Sequence, residues 1–136
     1  MTHYIFFLFF RKYDNEWAND KGFVPFDFNA PCNIDTSWKG MFDMAIIDPP
    51  FITRDVWEKY AIATQYLLKD DPKEKKSIVL GTTVEENADF MMELFHASPT
   101  TFKPVVTNLV YQYVIFINCT STILSMPNPE IQEEEY

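Results

Sequence analysis

Glycine is nearly absent from this chain. Only Gly22, Gly40 and Gly81 occur among 136 residues, and they are too far apart to build a glycine-rich ligand loop of the kind that opens many nucleotide-binding folds. Bases are also scarce, because 11 Lys and Arg face 20 Asp and Glu for a formal charge of −9. Duplex nucleic acid is held largely by Lys and Arg that neutralise phosphates, so this balance disfavours a DNA or RNA substrate unless a local basic patch exists. No such patch is visible, and the short Lys73-Glu74-Lys75-Lys76 cluster reads as a solvated loop. An acidic surface suits a basic protein partner instead.

The two cysteines, Cys32 and Cys119, are isolated, without Cys-x-x-Cys spacing or a neighbouring histidine. That excludes the spacing of a zinc site and leaves reduced, buried thiols of a cytoplasmic protein as the expectation. Asn118-Cys119-Thr120 matches a glycosylation sequon but abuts an apolar strand, so it reads as coincidence. The apolar opening, Met1 to Phe10, has no basic flank or small-x-small cleavage site and is too short to span a bilayer. A buried strand explains it better than a leader, and no membrane partner is expected.

What is abundant is apolar and aromatic: 47% hydrophobic residues, with 13 Phe, 7 Tyr and 3 Trp. One domain with a substantial core is expected over residues 1–124, followed by an acidic, disordered tail over 125–136. The domain is organised around Phe42-Asp43-Met44-Ala45-Ile46-Ile47-Asp48-Pro49-Pro50-Phe51. An apolar run of strand length ends in an acid, two prolines and a ring, so a strand delivers a rigid polar loop to a sheet edge. Each proline fixes its own φ, lacks an N–H and restricts the residue before it. Asp48 is therefore held extended, and nearby carbonyls are left free for an N–H donor. A carboxylate, a carbonyl and the Phe51 ring make a cradle for an amine. A plain Pro-Pro turn with a capping aspartate is the alternative.

Tyr4 to Phe10 reads as a first strand closed by Asp14, and Phe23 to Phe26 as a second that ends in Asp27. Three strand-terminal acids, Asp14, Asp27 and Asp48, would then line the carboxyl rim where open α/β sheets bind ligands. Asn15 to Lys21 has room for a short helix only. Val56, Tyr60, Ala63 and Leu67 recur at helical spacing behind Thr53 as N-cap. Ser77 to Gly81 is a further strand. Thr82 to Glu85 forms a capping box for a helix with the stripe Val84, Ala88, Met91, Met92 and Phe95. Thr101 to Val106 and Tyr111 to Ile117 read as a closing hairpin around Thr107-Asn108.

In this order the motifs resemble the later part of a class I methyltransferase domain. They are most similar to the elongation factor 1-alpha lysine methyltransferase family, formerly described as N6-adenine-specific DNA methyltransferases. The resemblance is carried by Tyr13-Asp14, Phe26-Asp27-Phe28-Asn29-Ala30-Pro31, Asp48-Pro49-Pro50-Phe51, Leu80-Gly81-Thr82 with Glu85-Glu86, and Thr101-Phe102-Lys103-Pro104 with Asn108-Leu109. It implies an α/β, Rossmann-like sheet, mostly parallel with a C-terminal antiparallel hairpin, and S-adenosyl-L-methionine as methyl donor. Asp27 would accept from the cofactor's adenine amino group and Phe28 would pack near that ring; loop capping is the other reading of Asp27. Asp48, with the Pro49 carbonyl, would orient the target nitrogen, and Phe51 would line the acceptor channel or simply pack at the helix start. Lys12 stands where the family carries its ribose-binding acid, which leaves Asp14, two residues later, as the candidate. The family's first strand, Gly-rich loop and first helix have no counterpart before Tyr4, so the sheet is expected to be N-terminally incomplete. The implied substrate is a protein, elongation factor 1-alpha, with an adenine of nucleic acid as the alternative acceptor and an inactive binding module as the alternative to an enzyme.

Overall fold

The computed structural model describes residues 5–8, 19, 21–70 and 76–131. Its strands are β1 (Ile5–Leu8), β2 (Met44–Ile47), β3 (Ile78–Val84), β4 (Ser98–Pro99) and β5 (Tyr113–Ile117), and its α-helices are α1 (Arg54–Leu67) and α2 (Ala88–Phe95). The strands form one sheet in the order β1-β2-β3-β5-β4. β1 and β2 run parallel, with Ile5 opposite Met44, and β2 and β3 run parallel, with Met44 opposite Ile78. β5 is antiparallel to both β3 and β4.

The architecture is α/β as expected, but the sheet is mixed rather than mostly parallel. The hairpin expected between Thr101–Val106 and Tyr111–Ile117 is replaced by a different pairing, in which β5 inserts between β3 and the two-residue β4. Pro104 lacks the N–H a ladder needs, and the Phe102 N–H donates to the Leu124 carbonyl at 3.0 Å instead. Residues 102–112 therefore leave the sheet as a loop.

Phe23–Phe26 forms no strand either. Pro25 lacks an N–H to donate, and Val24 and Phe26 pack against the core from a segment with no regular secondary structure. Asp27 is thus not a strand-terminal acid. Asp14, most of the expected Asn15–Lys21 helix and Lys73–Lys75 lie outside the described residues.

The core lies on one face of the sheet. Ala45 and Ile47 of β2, Val79 of β3, and Val114 and Phe116 of β5 alternate with half-buried neighbours, as a strand's two-residue period requires. They join Val56, Trp57, Tyr60, Ala63 and Leu67 of α1 and Met91 and Phe95 of α2 in a single buried cluster. The stripe read along α1 is buried throughout.

At α2 the stripe is narrower, because Met92 is 45% exposed. The capping box is also absent: Thr82 is still within β3, and a 3₁₀ turn over Glu85–Asn87 precedes the helix.

Gly81 shows why a residue without a side chain sits mid-strand. A Cβ there would lie 3.0 Å from the Trp57 ring and from the Met91 methyl group, so the absent side chain lets both helices press onto the sheet. Cys32 and Cys119 are free and exposed rather than buried. One lies in the turn after Pro31 and the other just beyond β5, where neither faces the core. Residues 121–131 are tied to the body, with Asn128 8% exposed and its Nδ2 donating to the Lys103 carbonyl at 2.9 Å.

Candidate functional site

Register creates the site. Ile47, the last residue of β2, lies beside Gly81 of β3, so the next residue on each strand, Asp48 and Thr82, emerge side by side. Thr82 Oγ1 donates to Asp48 Oδ1 at 2.6 Å, a charge-assisted bond that orients the carboxylate. Pro49 is buried beneath it, while Pro50 is exposed and Phe51 is 53% exposed. The far end of this loop is also fixed. Asn87, itself buried, donates from Nδ2 to the Ile52 carbonyl and to Thr83 Oγ1, both at 2.8 Å. The Asp-Pro-Pro-Phe loop is thereby held at both ends by β3 and the turn after it.

A second loop reaches the first. The Asn29 N–H donates to Asp27 Oδ1 at 2.9 Å, and the Ala30 N–H donates to the Asp27 carbonyl at 2.9 Å. Asp27 therefore does cap its turn, with one carboxylate oxygen committed. That turn presents Phe28, whose ring stacks on Tyr60 at a centroid distance of 6.3 Å and meets Phe51 edge-on at 6.4 Å. Lys59 Nζ sits 5.3 Å from the Phe28 centroid and 3.5 Å from Asn29 Oδ1. The structure thus brings together Asp27, Phe28, Asp48, Pro49 and Phe51, while Asp14 lies outside the described residues.

Tyr60 lies under this junction. It is fully buried, packed edge-on by Phe26 at 5.3 Å, and its hydroxyl has no hydrogen-bond partner among the described residues. Burial, and then the negative charge of Asp48, push its pKa well above the ordinary phenol value. It stays protonated across the physiological range.

Three residues of this arrangement carried no role in the sequence reading. Tyr60 was concealed in a stripe that reads as core, and Asn87 looks like a helix-start residue. Thr82 could be paired with Asp48 only through the β2–β3 register. Among the described residues no group of three His, Cys, Asp or Glu gathers to hold a metal ion, and no helix is long and apolar enough to cross a membrane. A concavity of about 380 Å³ lies at the other end of the sheet, around Thr100, Asn118 and Ser121. There the Asn118 side chain is engaged with β3, accepting from the Val79 N–H at 2.8 Å.

The structure thus fixes a strand-delivered Asp-Pro-Pro-Phe loop in an α/β sheet beside a second loop that carries an acid and a ring. The family model described as "Probable N6-adenine methyltransferase" matches residues 5–121, and the chain belongs to that family. It is also 29% identical over 114 residues to the protein-lysine N-methyltransferase EFM5 of Saccharomyces cerevisiae, an alignment that covers 79% of this chain. The chain spans about half the length of that relative, 46% of which is aligned.

Proposed function

We propose that the chain carries acceptor-loop and adenine-binding residues of an S-adenosyl-L-methionine-dependent protein-lysine N-methyltransferase whose substrate is translation elongation factor 1-alpha. The observation that carries this reading is the meeting of Phe28 and Phe51 at 6.4 Å, which joins the proposed cofactor loop to the proposed acceptor loop. The yeast relative, itself named a protein-lysine N-methyltransferase, supports the choice of lysine.

The residues present suit the adenine end of the cofactor. The half-buried Phe28 ring is braced from behind by the buried Tyr60 and meets Phe51 edge-on, which holds an aromatic surface for a planar ring to pack on. Asp27 would accept from the adenine amino group with its uncommitted oxygen, Phe28 would pack on the ring, and Asp14 is the proposed partner of the ribose. When bound, the cofactor supplies an electrophilic sulfonium methyl group.

The chain's own part is to prepare the nucleophile. A free lysine titrates near about 10.4, so the ammonium must lose a proton before it can attack. The apolar wall of Phe51 and Phe28 disfavours charge and helps that loss, whereas an ionised Asp48 opposes it. Asp48 and the Pro49 carbonyl therefore act by aligning the nitrogen lone pair, a proximity effect. Thr82 holds the carboxylate for that purpose. The exposed Phe51 ring can receive the ammonium by a cation–π contact before deprotonation.

Calorimetric titration of S-adenosyl-L-methionine into the purified chain, followed by methyl transfer to elongation factor 1-alpha, tests the proposal. Saturable binding that is lost in Asp27→Ala, with transfer that is lost in Asp48→Ala, is expected. A folded chain that binds no cofactor would sink it. The description of the family as a probable N6-adenine methyltransferase favours an adenine acceptor, against which the −9 charge counts. Activity on an adenine-containing oligonucleotide with none on the elongation factor would reverse the order.

A further inference from the structure

Residues 104–112, Pro104-Val105-Val106-Thr107-Asn108-Leu109-Val110-Tyr111-Gln112, contain no charged side chain. The loop they form is built rather than loose. Gln112 Nε2 closes its neck by donating to the Pro104 carbonyl at 3.3 Å and to the Tyr113 carbonyl at 2.7 Å. Its tip turns at Asn108, with φ at 66°, and the Leu109 N–H donates to the Val106 carbonyl at 3.3 Å. Yet its apolar side chains face outward. Val110 is 91% exposed, Tyr111 61%, Val105 54%, Val106 50% and Leu109 46%. With Tyr113 they line a concavity of about 270 Å³. Contiguous apolar surface of this kind gains free energy when something covers it.

Position and charge say what covers it. Tyr113 pairs with Val84 at the carboxyl end of β3, two residues beyond Thr82, the partner of Asp48. At the other root of the loop, Lys103 Nζ pairs with Glu85 Oε2 at 3.2 Å. Glu85 begins the turn whose Asn87 holds the Ile52 carbonyl of the acceptor loop. The apolar loop therefore stands on the same rim as Asp48 and Phe51. Around that rim stand the exposed acids Asp48, Glu85, Glu86 and Asp89, while the bases beside them are already engaged, Lys103 by Glu85 and Arg54 by Glu58 and Glu93. Phosphates would meet repulsion there, while a cationic segment would meet attraction.

We propose that the 104–112 loop docks a basic, partly apolar segment of the protein substrate that flanks the methyl-accepting lysine. The inference rests on the protein-substrate reading above and adds the surface that selects the substrate. Apolar anchors enter the Val105–Tyr113 concavity, and flanking bases face Glu86 and Asp89. Affinity then combines buried area, which is insensitive to salt, with a charge contribution that salt screens.

The experiment measures binding of the full chain to two probes, purified elongation factor 1-alpha and a synthetic peptide of lysines interspersed with Leu and Phe. Val110→Glu is compared with Ile123→Glu, because Ile123 is 73% exposed but sits in the turn at the other end of the sheet. Val110→Glu should weaken both complexes by about tenfold or more, while Ile123→Glu should leave them within about twofold, as a localised hot spot requires. Circular dichroism of both variants should match the wild type. Equal losses in the two variants, no loss in either, or no binding of either probe by the wild-type chain would overturn the inference. Peptide binding that depends on Val110 without binding of the elongation factor would support the loop and overturn only the proposed substrate. Oligonucleotide binding that Val110→Glu abolishes would overturn the protein class of the partner.

Discussion

Burial keeps the Tyr60 hydroxyl protonated without giving it a partner among the described residues, and this has a thermodynamic consequence. A phenol whose folded pKa is raised contributes stability that is fully present below the unfolded value of about 10 and is lost as pH rises above it. Unfolding measured by urea between pH 8 and pH 11 should show stability falling above pH 10, by at most about 1.4 kcal/mol per pH unit from this group. Tyr60→Phe should remove that part of the slope. Because the hydroxyl is unpaired, the same change should be neutral or stabilising by up to about 1 kcal/mol at pH 7. Asp48 and Thr82 call for a kinetic prediction instead. Thr82→Val removes the 2.6 Å donor from the carboxylate, so if Asp48 aligns the acceptor as proposed, kcat for methyl transfer should fall about tenfold or more with little change in cofactor affinity. Thr82→Ser should restore most of it, and equal rates for valine and wild type would show that the contact has no part in alignment.

Elements meet at two points that a single substitution can probe. Gly81 lets the Trp57 ring of α1 and the Met91 methyl of α2 approach the sheet. Gly81→Val should cost about 1–3 kcal/mol through overpacking, seen as a lower denaturation midpoint. The second point is Asn87, whose amide joins the end of the Asp-Pro-Pro-Phe loop to β3. Asn87→Ala leaves the Ile52 carbonyl without this donor and should destabilise by about 1–3 kcal/mol. If the loop is the acceptor side of the site, transfer activity should fall further than the unfolded fraction explains. Asn87→Asp keeps the shape but replaces the donor with an acceptor, and it should not rescue.

For the molecule as a whole, charge is the relevant property. An excess of nine acids opposes polyanions and favours cationic partners, with a reach of about 10 Å at 0.1 M salt. If the proposed substrate is right, association with elongation factor 1-alpha should weaken as salt is raised from 50 to 300 mM, mainly through a slower association rate. A rate that stays flat over that range would remove charge from the account of recognition.

Much of this protein is legible without coordinates. The stripe of α1, the strand at Met44–Ile47, a strand within Tyr111–Ile117, and the loop Asp48-Pro49-Pro50-Phe51 follow from local periodicity and proline stereochemistry, which act between residues a few positions apart. The departures arise where non-local pairing decides. Phe23–Phe26 has a strand's composition but no neighbour among the described residues to complete a ladder, and Thr101–Val106 loses its place beside β5 to β3 and Ser98–Pro99. The site divides in the same way. Asp27, Phe28, Asp48 and Phe51 stand out by motif, because each motif is contiguous in the chain. That Phe28 touches Phe51, that Thr82 holds Asp48 and that Tyr60 lies under both was decided only by tertiary structure, since strand register and the packing of a loop on a helix couple residues about 20 to 35 apart, which no local pattern records.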